Sequence, residues 1–579
     1  MRTRKISVLI LIVASLLAVS CVSTTKRFQP GTYEGTGKGH GGDIKVAVTV
    51  NEKAILGIKV LSMNETAYLG DSAVEVLIQR MLQTNSADVD TVSGATEASY
   101  GFIAAVKEAL SKAGFSPAKA LPVAAGIKAS PAKSYDIIVI GGGGAGLSAA
   151  NSAVAQGVKV VLFEKMGVLG GNTIRATGGM NAAGTPQQAA KNIQDSPELF
   201  FKDTMKGGYN KNNPQLVQTL AEKAASSIAW ITEMGGDLSD VGRLAGASVD
   251  RAHRPAGGAK VGPEIVKTLG NKAKTSSSLQ IYTDSEVISL TTDQKGTVNG
   301  VVVVIDGREY KVKAKAVILA TGGFGANNEM AASYVPSLKG FATTNHPGAT
   351  GDGITIAQAV GARLVDMDQI QTHPTFAPEG NEMVTEAVRG NGAILVNKAG
   401  ERFVDELATR DVVSAKILLQ NEKFAYLVFD TTVRRSLSAI EGYIKAGFVM
   451  QADTPEALAA IIGSNPDSLE ATINQYNTFV AEKKDSDFGR SSLPRLLAQG
   501  PFFAIKVTPA VHHTMGGVKI DSSAQVLRED GTAIAGLFAA GEVTGGVHGG
   551  NRLGGNALAD IVTFGRIAGE NAAALAKTK

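Results

Sequence analysis

The spacing of apolar residues changes along the chain and marks its segments. Between residues 30 and 115, short apolar runs such as residues 44–50 predict strands, and two stretches with apolar residues every three to four positions predict amphipathic helices. From Tyr135 onwards the pattern becomes a buried strand, a glycine turn, a helix and a second strand. We therefore predict a small α+β domain followed by a larger α/β domain.

The first strand of the larger domain leads into a nucleotide-binding pattern. A buried strand at residues 136–140 precedes a glycine-rich turn, and a helix is predicted over residues 147–156. Such a turn lets a pyrophosphate reach the N-terminus of the helix, and an acidic residue after the second strand, at residues 158–163, can hold a ribose hydroxyl. The candidate residues are Gly141, Gly143, Ala145, Gly146 and Glu164.

Composition shifts divide the chain further. Residues 116–133 are rich in Ala, Pro, Lys and Ser without clear periodicity, which is typical of a linker. A second nucleotide-site signature appears only near the C-terminus. We therefore expect a Rossmann-like domain in two parts, residues 134–368 and 506–579, separated by a capping domain at residues 369–505.

Length and charge exclude several classes of protein. A chain of 579 residues is too long for one hydrophobic core, which stops growing near roughly 250 to 300 residues. Without the first twenty residues the charges nearly balance, with 54 basic against 53 acidic side chains, so nothing favours nucleic acid as a partner. The single cysteine, Cys21, excludes an intrachain disulfide, a thiolate metal cage and a C-x-x-C-H haem site, and we expect no metal.

The N-terminus has the pattern of an export signal. Residues 2–5 are largely basic, and the apolar run at residues 6–20 is too short to cross a hydrocarbon core of roughly 30 Å, so residues 1–20 are predicted to be a signal peptide. The sequence before Cys21 resembles a bacterial lipobox, which implies a lipid anchor on that cysteine; ordinary cleavage at the same bond is the alternative. We expect export to the periplasm or the outer face of a membrane.

A phosphate-binding pattern precedes the second helix of the small domain. The run D-T-V-S-G-A-T ends at Thr96, which is predicted to lie at the helix N-terminus, a position that favours phosphate. Taken alone, this sequence fits a simple helix cap equally well. Together with Tyr33 and the glycines of residues 35–42, it resembles the FMN-binding domain of flavin-transferase substrates. The resemblance implies FMN in a phosphoester bond to Thr96, attached by a separate flavin transferase.

Later glycine-rich motifs resemble the FAD-binding domain of the fumarate reductase and succinate dehydrogenase flavoproteins. They lie at residues 170–173, 177–181, 320–323, 351–353 and 541–542. The resemblance implies an α/β Rossmann-like FAD-binding domain with an inserted α+β capping domain, preceded by a small α+β FMN-binding domain. It implies FAD contacts from Asn172, Thr173, Thr177, Gly178, Gly179, Val287, Asp352, His513, Glu542, Ala557 and Leu558. No histidine lies between His40 and His253, so we expect FAD to be bound noncovalently.

Clusters of histidine, arginine and acidic residues in the second half of the chain suit the binding of a small acid. Taken singly, such histidines are more often structural and such arginines more often ion-pair partners. Their joint order over residues 30–579 resembles the soluble fumarate reductases of the flavocytochrome c type. The resemblance implies that the substrate is held by His373, Thr385, Glu386, His512, Arg552 and Gly555.

The same resemblance implies a reaction. His373, Thr385 and Glu386 would face one carboxylate of a dicarboxylate, and His512 and Arg552 the other. Flavin N5 would deliver a hydride to the double bond, and Arg410 a proton that is resupplied through Glu386 and Arg389. Without the resemblance, Arg410 would be interpreted as an electrostatic clamp, because a guanidinium has a pKa above roughly 12.

The expected activity is therefore reduction of fumarate to succinate, with electrons passing from a membrane donor, a quinol-linked cytochrome or a flavoprotein, through FMN to FAD. The FMN domain in place of a haem domain resembles urocanate reductase, but His373 and the Thr385–Glu386 pair favour fumarate. Leu244 stands where methionine is expected. The alternatives are reduction of urocanate, acrylate or a cinnamate, a noncatalytic electron-transfer lipoprotein and, with less support, succinate oxidation.

Overall fold

The computed structural model describes residues 27–65, 69–114, 130–244 and 246–578. The predicted signal peptide, Cys21 and most of the predicted linker lie outside these residues. The chain divides into two compact units, one within Met1–Glu65, Val74–Thr91 and Glu97–Gly126 and the other within Thr66–Ala73, Val92–Thr96 and Ile127–Lys579. No helix in the described ranges is long and apolar enough to cross a bilayer.

The N-terminal α+β segment contains an antiparallel sheet and two helices. Its elements are β1 (Gly31–Lys38), β2 (Asp43–Val50), β3 (Ile55–Ser62), α1 (Gly70–Thr84) and α2 (Thr96–Lys112). The order β1-β2-β3 and the alternating burial of β2 follow the predicted strand pattern. Gly37 is required by packing, since a Cβ there would lie 2.0 Å from the carbonyl oxygen of Gly101 in α2. Thr96 is exposed and is the first residue of α2, which confirms its predicted place.

The second unit begins as a Rossmann-like α/β domain. Its strands are β4 (Ser134–Ile140), β5 (Val160–Phe163), β6 (Met180–Asn181), β7 (Asp240–Gly242), β8 (Ala252–Arg254), β9 (Leu279–Tyr282), β10 (Ser285–Thr292), β11 (Val298–Ile305), β12 (Arg308–Leu319) and β13 (Leu364–Val365). Its helices are α3 (Gly144–Ala155), α4 (Pro186–Ala190), α5 (Pro197–Gly207), α6 (Pro214–Glu233), α7 (Val261–Lys274), α8 (Asn328–Tyr334) and α9 (Asp352–Ala359).

The inserted segment contains its own strands and helices. The strands are β14 (Ile370–Ala377), β15 (Glu382–Met383), β16 (Ile394–Val396), β17 (Ala425–Asp430), β18 (Met450–Ala452) and β19 (Phe502–Thr514). The helices are α10 (Glu386–Gly390), α11 (Arg410–Leu418), α12 (Thr431–Arg435), α13 (Ala439–Ala446), α14 (Pro455–Ile462) and α15 (Pro466–Glu482). The chain then returns to the first domain through β20 (Gly517–Lys519), β21 (Gln525–Leu527), β22 (Ala533–Ala539), β23 (Thr544–Gly545) and α16 (Asn556–Thr578).

The central sheet of the Rossmann-like domain has the order β10-β11-β12-β4-β5-β9, with β22 paired to β12. Strands β22, β12, β4, β5 and β9 run parallel and are largely buried, because α3 and α16 pack over them. Helix α3 begins at Gly144, three residues before the predicted start. The glycines of the turn form its first helical residues, where a Cβ on Gly146 would lie 1.9 Å from the carbonyl oxygen of Gly141.

The capping domain has a separate hydrophobic core, formed by buried residues between Ala377 and Val507. Strands β14 and β19 pair with each other and connect this core to the Rossmann-like domain. The predicted boundary at residue 505 lies within β19, so the second connection between the domains is a continuous strand. Side chains along β14 and β19 therefore lie where the two cores meet.

Candidate active site

A deep cavity of about 880 Å³, including the part open to solvent, lies at the carboxyl ends of the parallel strands. This is the edge at which α/β sheets bind nucleotides. Predicted FAD contacts that line the cavity are Gly141, Gly143, Ala145, Glu164, Asn172, Thr173, Val287, Asp352 and Glu542. Gly146 instead packs against the glycine turn, and Thr177, Gly178, Gly179, His513, Ala557 and Leu558 do not line this cavity.

The nucleotide end of the cavity exposes backbone donors. The residue before α3 is Gly143, which has no side chain to cap the helix; the N–H of Gly144 donates to the Thr173 hydroxyl, at 3.1 Å, and the N-terminus of the helix favours an anion. Glu164 accepts hydrogen bonds from the N–H groups of Gly142, at 2.6 Å, and Met166, at 2.8 Å. Burial raises the pKa of Glu164. The buried hydroxyl of Thr321 has no hydrogen-bond partner among the described residues, so the cavity offers FAD unused polar contacts.

Four contacts around this cavity were not predicted. Lys165 forms an ion pair with Asp352 and also donates to the Thr350 hydroxyl, so the Asp352 charge is already balanced. At the other end, Asn172 donates to Asn345, at 2.6 Å, and more weakly to Glu542, at 3.3 Å. Lys165 could have been selected from the sequence, because it directly follows the predicted FAD contact Glu164. Asn345 could not, because it lies in a loop without a recognisable motif.

Arg410 and Arg552 meet at a shared acceptor. The Nη1 of Arg410 and the Nη2 of Arg552 each lie 3.1 Å from Oε1 of Gln371, so this buried amide oxygen accepts from both guanidinium groups. Arg410 is the first residue of α11 in the cap, and Arg552 lies just before α16 in the Rossmann-like domain. Sequence analysis did not select Gln371, although its position two residues before His373 on β14 puts both on one face of the strand.

The two predicted substrate histidines are neighbours. The rings of His373, on β14, and His512, on β19, lie 5.1 Å apart between centroids. Nδ1 of His512 is 2.7 Å from the Thr344 hydroxyl. Burial, and then the positive charge of Arg410, hold the pKa of both histidines well below the usual value. Both imidazoles are therefore neutral at physiological pH, and each carries one N–H.

His513 lies next to His548. Its ring lies edge-on to that of His548, with centroids 5.3 Å apart, and burial holds its pKa well below the usual value. Its Nδ1 is buried and has no hydrogen-bond partner within the part of the chain that the structure describes. An unsatisfied buried nitrogen fits a contact with an absent ligand such as the flavin.

The carboxylate of Glu386 lies between the guanidinium groups of Arg410 and Arg389. Its Oε2 lies 3.1 Å from Nε of Arg410 and 3.9 Å from Nη2 of Arg389. Burial alone would raise the pKa of Glu386, but the charges of Arg410 and Arg389 outweigh it and the pKa is lowered. Burial lowers the pKa of Arg389. The order Arg410, Glu386, Arg389 is the order of the predicted proton relay.

A buried ion network in the cap holds this relay in place. Arg389 donates to the backbone carbonyl of Glu406, at 2.6 Å, and its own carbonyl accepts from Arg490, also at 2.6 Å. The Glu406 carboxylate is paired with both Arg402 and Arg490. Arg402 and Arg490 were not predicted: Arg402 is only four residues from Glu406 in sequence, whereas the fold brings Arg490 to Glu406 from 84 residues away.

Thr385, Gly555 and Leu244 each pack closely against neighbouring residues. Thr385 caps α10, and its hydroxyl lies 3.5 Å from that of Thr177. Gly555 has a left-handed φ of 85°, and a Cβ there would lie 2.4 Å from Oδ1 of Asn181. Leu244 packs over Gly178, with its Cδ1 3.1 Å from where a Cβ would lie.

Comparisons with known proteins identify the domains and the family of the chain. The FAD binding domain family matches residues 136–558, and the FMN-binding domain family matches residues 39–111. Fold and site thus define a flavin-dependent oxidoreductase that acts on a carbon–carbon double bond. The chain belongs to the family of soluble fumarate reductase flavoproteins, which includes the flavocytochrome c and urocanate reductase types.

Three curated relatives illustrate the range of this family. A fumarate reductase (cytochrome) of Shewanella frigidimarina is 54% identical over 455 residues, which cover 78% of this chain and 79% of the relative. An NADH:fumarate oxidoreductase of Klebsiella pneumoniae is 43% identical over 95% of this chain, but the match spans only 59% of that protein. A urocanate reductase of Eggerthella lenta is 34% identical, with coverage of 94% and 92%.

A solved structure shows the same fold. The open conformation of a flavocytochrome c3 fumarate reductase matches with a TM-score of 0.68 and 44% identity, over 77% of this chain and 79% of that chain. The predicted fold class and the predicted FAD- and FMN-binding domains are therefore confirmed. The roles of individual site residues stay predictions.

The charge of Arg552 should make the binding of a dicarboxylate weaker at high pH. Burial, followed by the charge of Arg410, lowers the pKa of Arg552 to about 9. Arg552 is charged below that value and loses its charge as the pH rises through it, so affinity for a dicarboxylate such as succinate should fall up to about tenfold per pH unit above 9. The rise in melting temperature with added succinate, followed from pH 7 to 10.5, measures this change. Uncharged succinamide serves as the control, and a succinate effect that persists unchanged at pH 10.5 would contradict the prediction.

Proposed function

We propose that the protein reduces fumarate to succinate. The observation that carries this proposal is the pairing of Arg410 and Arg552 on one neutral acceptor, Gln371. Two guanidinium groups that converge on an uncharged amide lack a full counter-charge there, and a dianion supplies it. Glu386 balances only part of the positive charge, since it is shared between Arg410 and Arg389.

Each residue near the arginines fits a step in that reaction. Arginine and histidine donors bind the two carboxylates, as assigned from the family, and withdraw electron density from the double bond. Reduced FAD, held by the residues of the nucleotide cavity, would supply the hydride. Arg410 gives a proton to the second alkene carbon, and Glu386 restores it from Arg389, which balances the conversion of fumarate to succinate.

Electrons enter from outside this site. Thr96 would hold FMN, attached there by a flavin transferase, and the bound flavin would pass electrons to FAD from a membrane donor, either a quinol-linked cytochrome or a flavoprotein. Exposure of Thr96 at the first residue of α2 supports this assignment, since the hydroxyl is accessible and the helix N-terminus favours a phosphate.

Urocanate and acrylate are the rival substrates. The Eggerthella lenta relative covers almost the whole chain and is named for urocanate. The Klebsiella pneumoniae relative also covers both flavin domains and is named for fumarate, so the FMN domain does not by itself favour urocanate. His373 beside His512, together with the Thr385–Glu386 pair, supports a dicarboxylate.

Export and lipid attachment form a further part of the proposal, which rests on residues 1–21 alone. A Cys21→Ser variant, expressed with the complete leader, is expected to move from the membrane fraction to the soluble exported fraction and to lose labelling by palmitate. An unlabelled wild-type protein that is nevertheless exported would favour ordinary cleavage and reject the lipid anchor.

The choice of substrate is tested by anaerobic oxidation of a reduced viologen dye by the flavin-loaded protein, offered fumarate, urocanate or acrylate. We expect kcat/KM to be at least about tenfold higher for fumarate than for acrylate, since acrylate lacks the second carboxylate and forgoes its charged hydrogen bonds. Activity with urocanate alone would reject the proposed substrate. Absence of turnover with all three acids would favour a noncatalytic electron carrier.

The role of Arg410 is tested by Arg410→Ala. We expect kcat to fall about 10²- to 10⁴-fold, the usual contribution of a general acid, while the FAD content read from the absorbance spectrum is unchanged. Arg434→Ala is the matched control in the same domain, because Arg434 pairs with Glu441 near the surface and its loss should change kcat less than about twofold. Retained activity of the Arg410 variant would remove this residue from the role of proton donor.

A further inference from the structure

The turn that follows α5 has a strained backbone. Tyr209 and Asn210 have φ angles of 58° and 57°, in the left-handed region that bulky side chains rarely occupy. Their N–H groups donate to the carbonyls of Lys206, at 3.1 Å, and Met205, at 2.8 Å, so the conformation is fixed by the end of the helix. Strain of this kind persists where the direction of a side chain matters.

This turn packs against the loop that carries Arg552. The N–H of Gly550 donates to the carbonyl of Gly208, at 2.9 Å, and the side chain of Asn551 donates to the carbonyl of Gly207, at 3.3 Å. The Tyr209 ring covers Gly550, since its Cδ2 lies 3.0 Å from where a Cβ would stand. The position of Tyr209 is thus tied to the Arg552 side of the site.

From there the phenol reaches the capping domain. Its hydroxyl donates to Oδ2 of Asp411, the second residue of α11 and the neighbour of Arg410. The other carboxylate oxygen, Oδ1, is buried and finds no hydrogen-bond partner in the described residues, so Tyr209 is a principal contact of this carboxylate. Burial, then the hydrogen bond and charge of Asp411, raise the pKa of Tyr209, which keeps the phenol protonated as a donor.

We infer that Tyr209 is a positioning residue, whose hydrogen bond to Asp411 latches the first turn of α11 to the Arg552 loop and so sets the separation of the two guanidinium groups. The contacts close a ring through Arg552, Gly550, Tyr209, Asp411, Arg410 and Gln371. In this circuit of contacts, the Gln371 amide oxygen joins the two arginines directly, and the Tyr209 phenol joins the segments that carry them. The inference rests on the proposed function of the two arginines.

The latch is tested with Tyr209→Phe, which keeps the ring over Gly550 and removes only the hydroxyl. Because Tyr209 is half-exposed, no buried cavity results. We expect kcat to fall about three- to tenfold, the effect of losing one charge-assisted hydrogen bond, with a smaller change in KM and an increased solvent deuterium isotope effect, since proton transfer from Arg410 slows. Asp411→Asn should behave similarly, and the double variant should be no worse than the more affected single one. Tyr334→Phe, in α8, is the matched control.

A second readout does not depend on turnover. In the resting flavin-loaded protein, Tyr209→Phe should speed amide hydrogen exchange in α11 at least threefold and leave α15 unchanged. The exchange measurement separates the proposed function from the latch. If the wild-type protein reduces none of the acids, the proposed function is rejected, but the exchange rates of α11 still test the latch. The latch would be overturned if Tyr209→Phe had the same kcat, isotope effect and exchange rates as the wild-type protein. It would also be overturned if the losses of kcat in Tyr209→Phe and Asp411→Asn simply added in the double variant.

Discussion

The structure depends on keeping several guanidinium groups out of water close to one another. Moving a charged group from water into a protein costs several kcal/mol unless it is paired and hydrogen-bonded. Here Arg389 is buried almost completely, Arg410 and Arg552 share one amide oxygen, and Glu386 lies between two of them. Burial lowers the pKa values of Arg389 and Arg552, which shows that their charged forms are held at a cost. The dianion proposed as substrate would lower that cost on binding, because it would supply the missing counter-charge.

The cap makes this arrangement possible because it adds counter-charges that do not face the substrate. Glu406 and Asp485 balance Arg402 and Arg490 inside the cap core, and backbone carbonyls accept hydrogen bonds from Arg389 and Arg490. Glu386 and Arg389, the α10 residues of the proposed relay, therefore adjoin a largely neutralised network in the cap. A hydrophobic replacement of that network would keep the cap folded but would leave the carbonyls of Arg389 and Ala393 without the donors that now fix α10.

Sequence analysis located the parts of the molecule with a strong local pattern. The glycine turn, the strand before it and the helix beginning at Thr96 carry their geometry in adjacent residues, so their places could be predicted to within a few positions. Gln371, Asn345, Arg490 and Tyr209 could not be selected in this way. Each acts through a partner that is more than 80 residues away in sequence, and none belongs to a motif that requires its residue type.

The strands β14 and β19 explain how distant parts of the chain act together. Both cross from one core to the other, and they carry Gln371, His373 and His512 at the crossing. Arg410 comes from the cap and Arg552 from the Rossmann-like domain, yet both bond to a residue on β14. A rotation of the cap about these strands would change the distance between the guanidinium groups before it disturbed either core. Since both guanidinium groups bond to Gln371, their separation depends on how the cap lies on the Rossmann-like domain, and that separation would decide whether the proposed dicarboxylate fits.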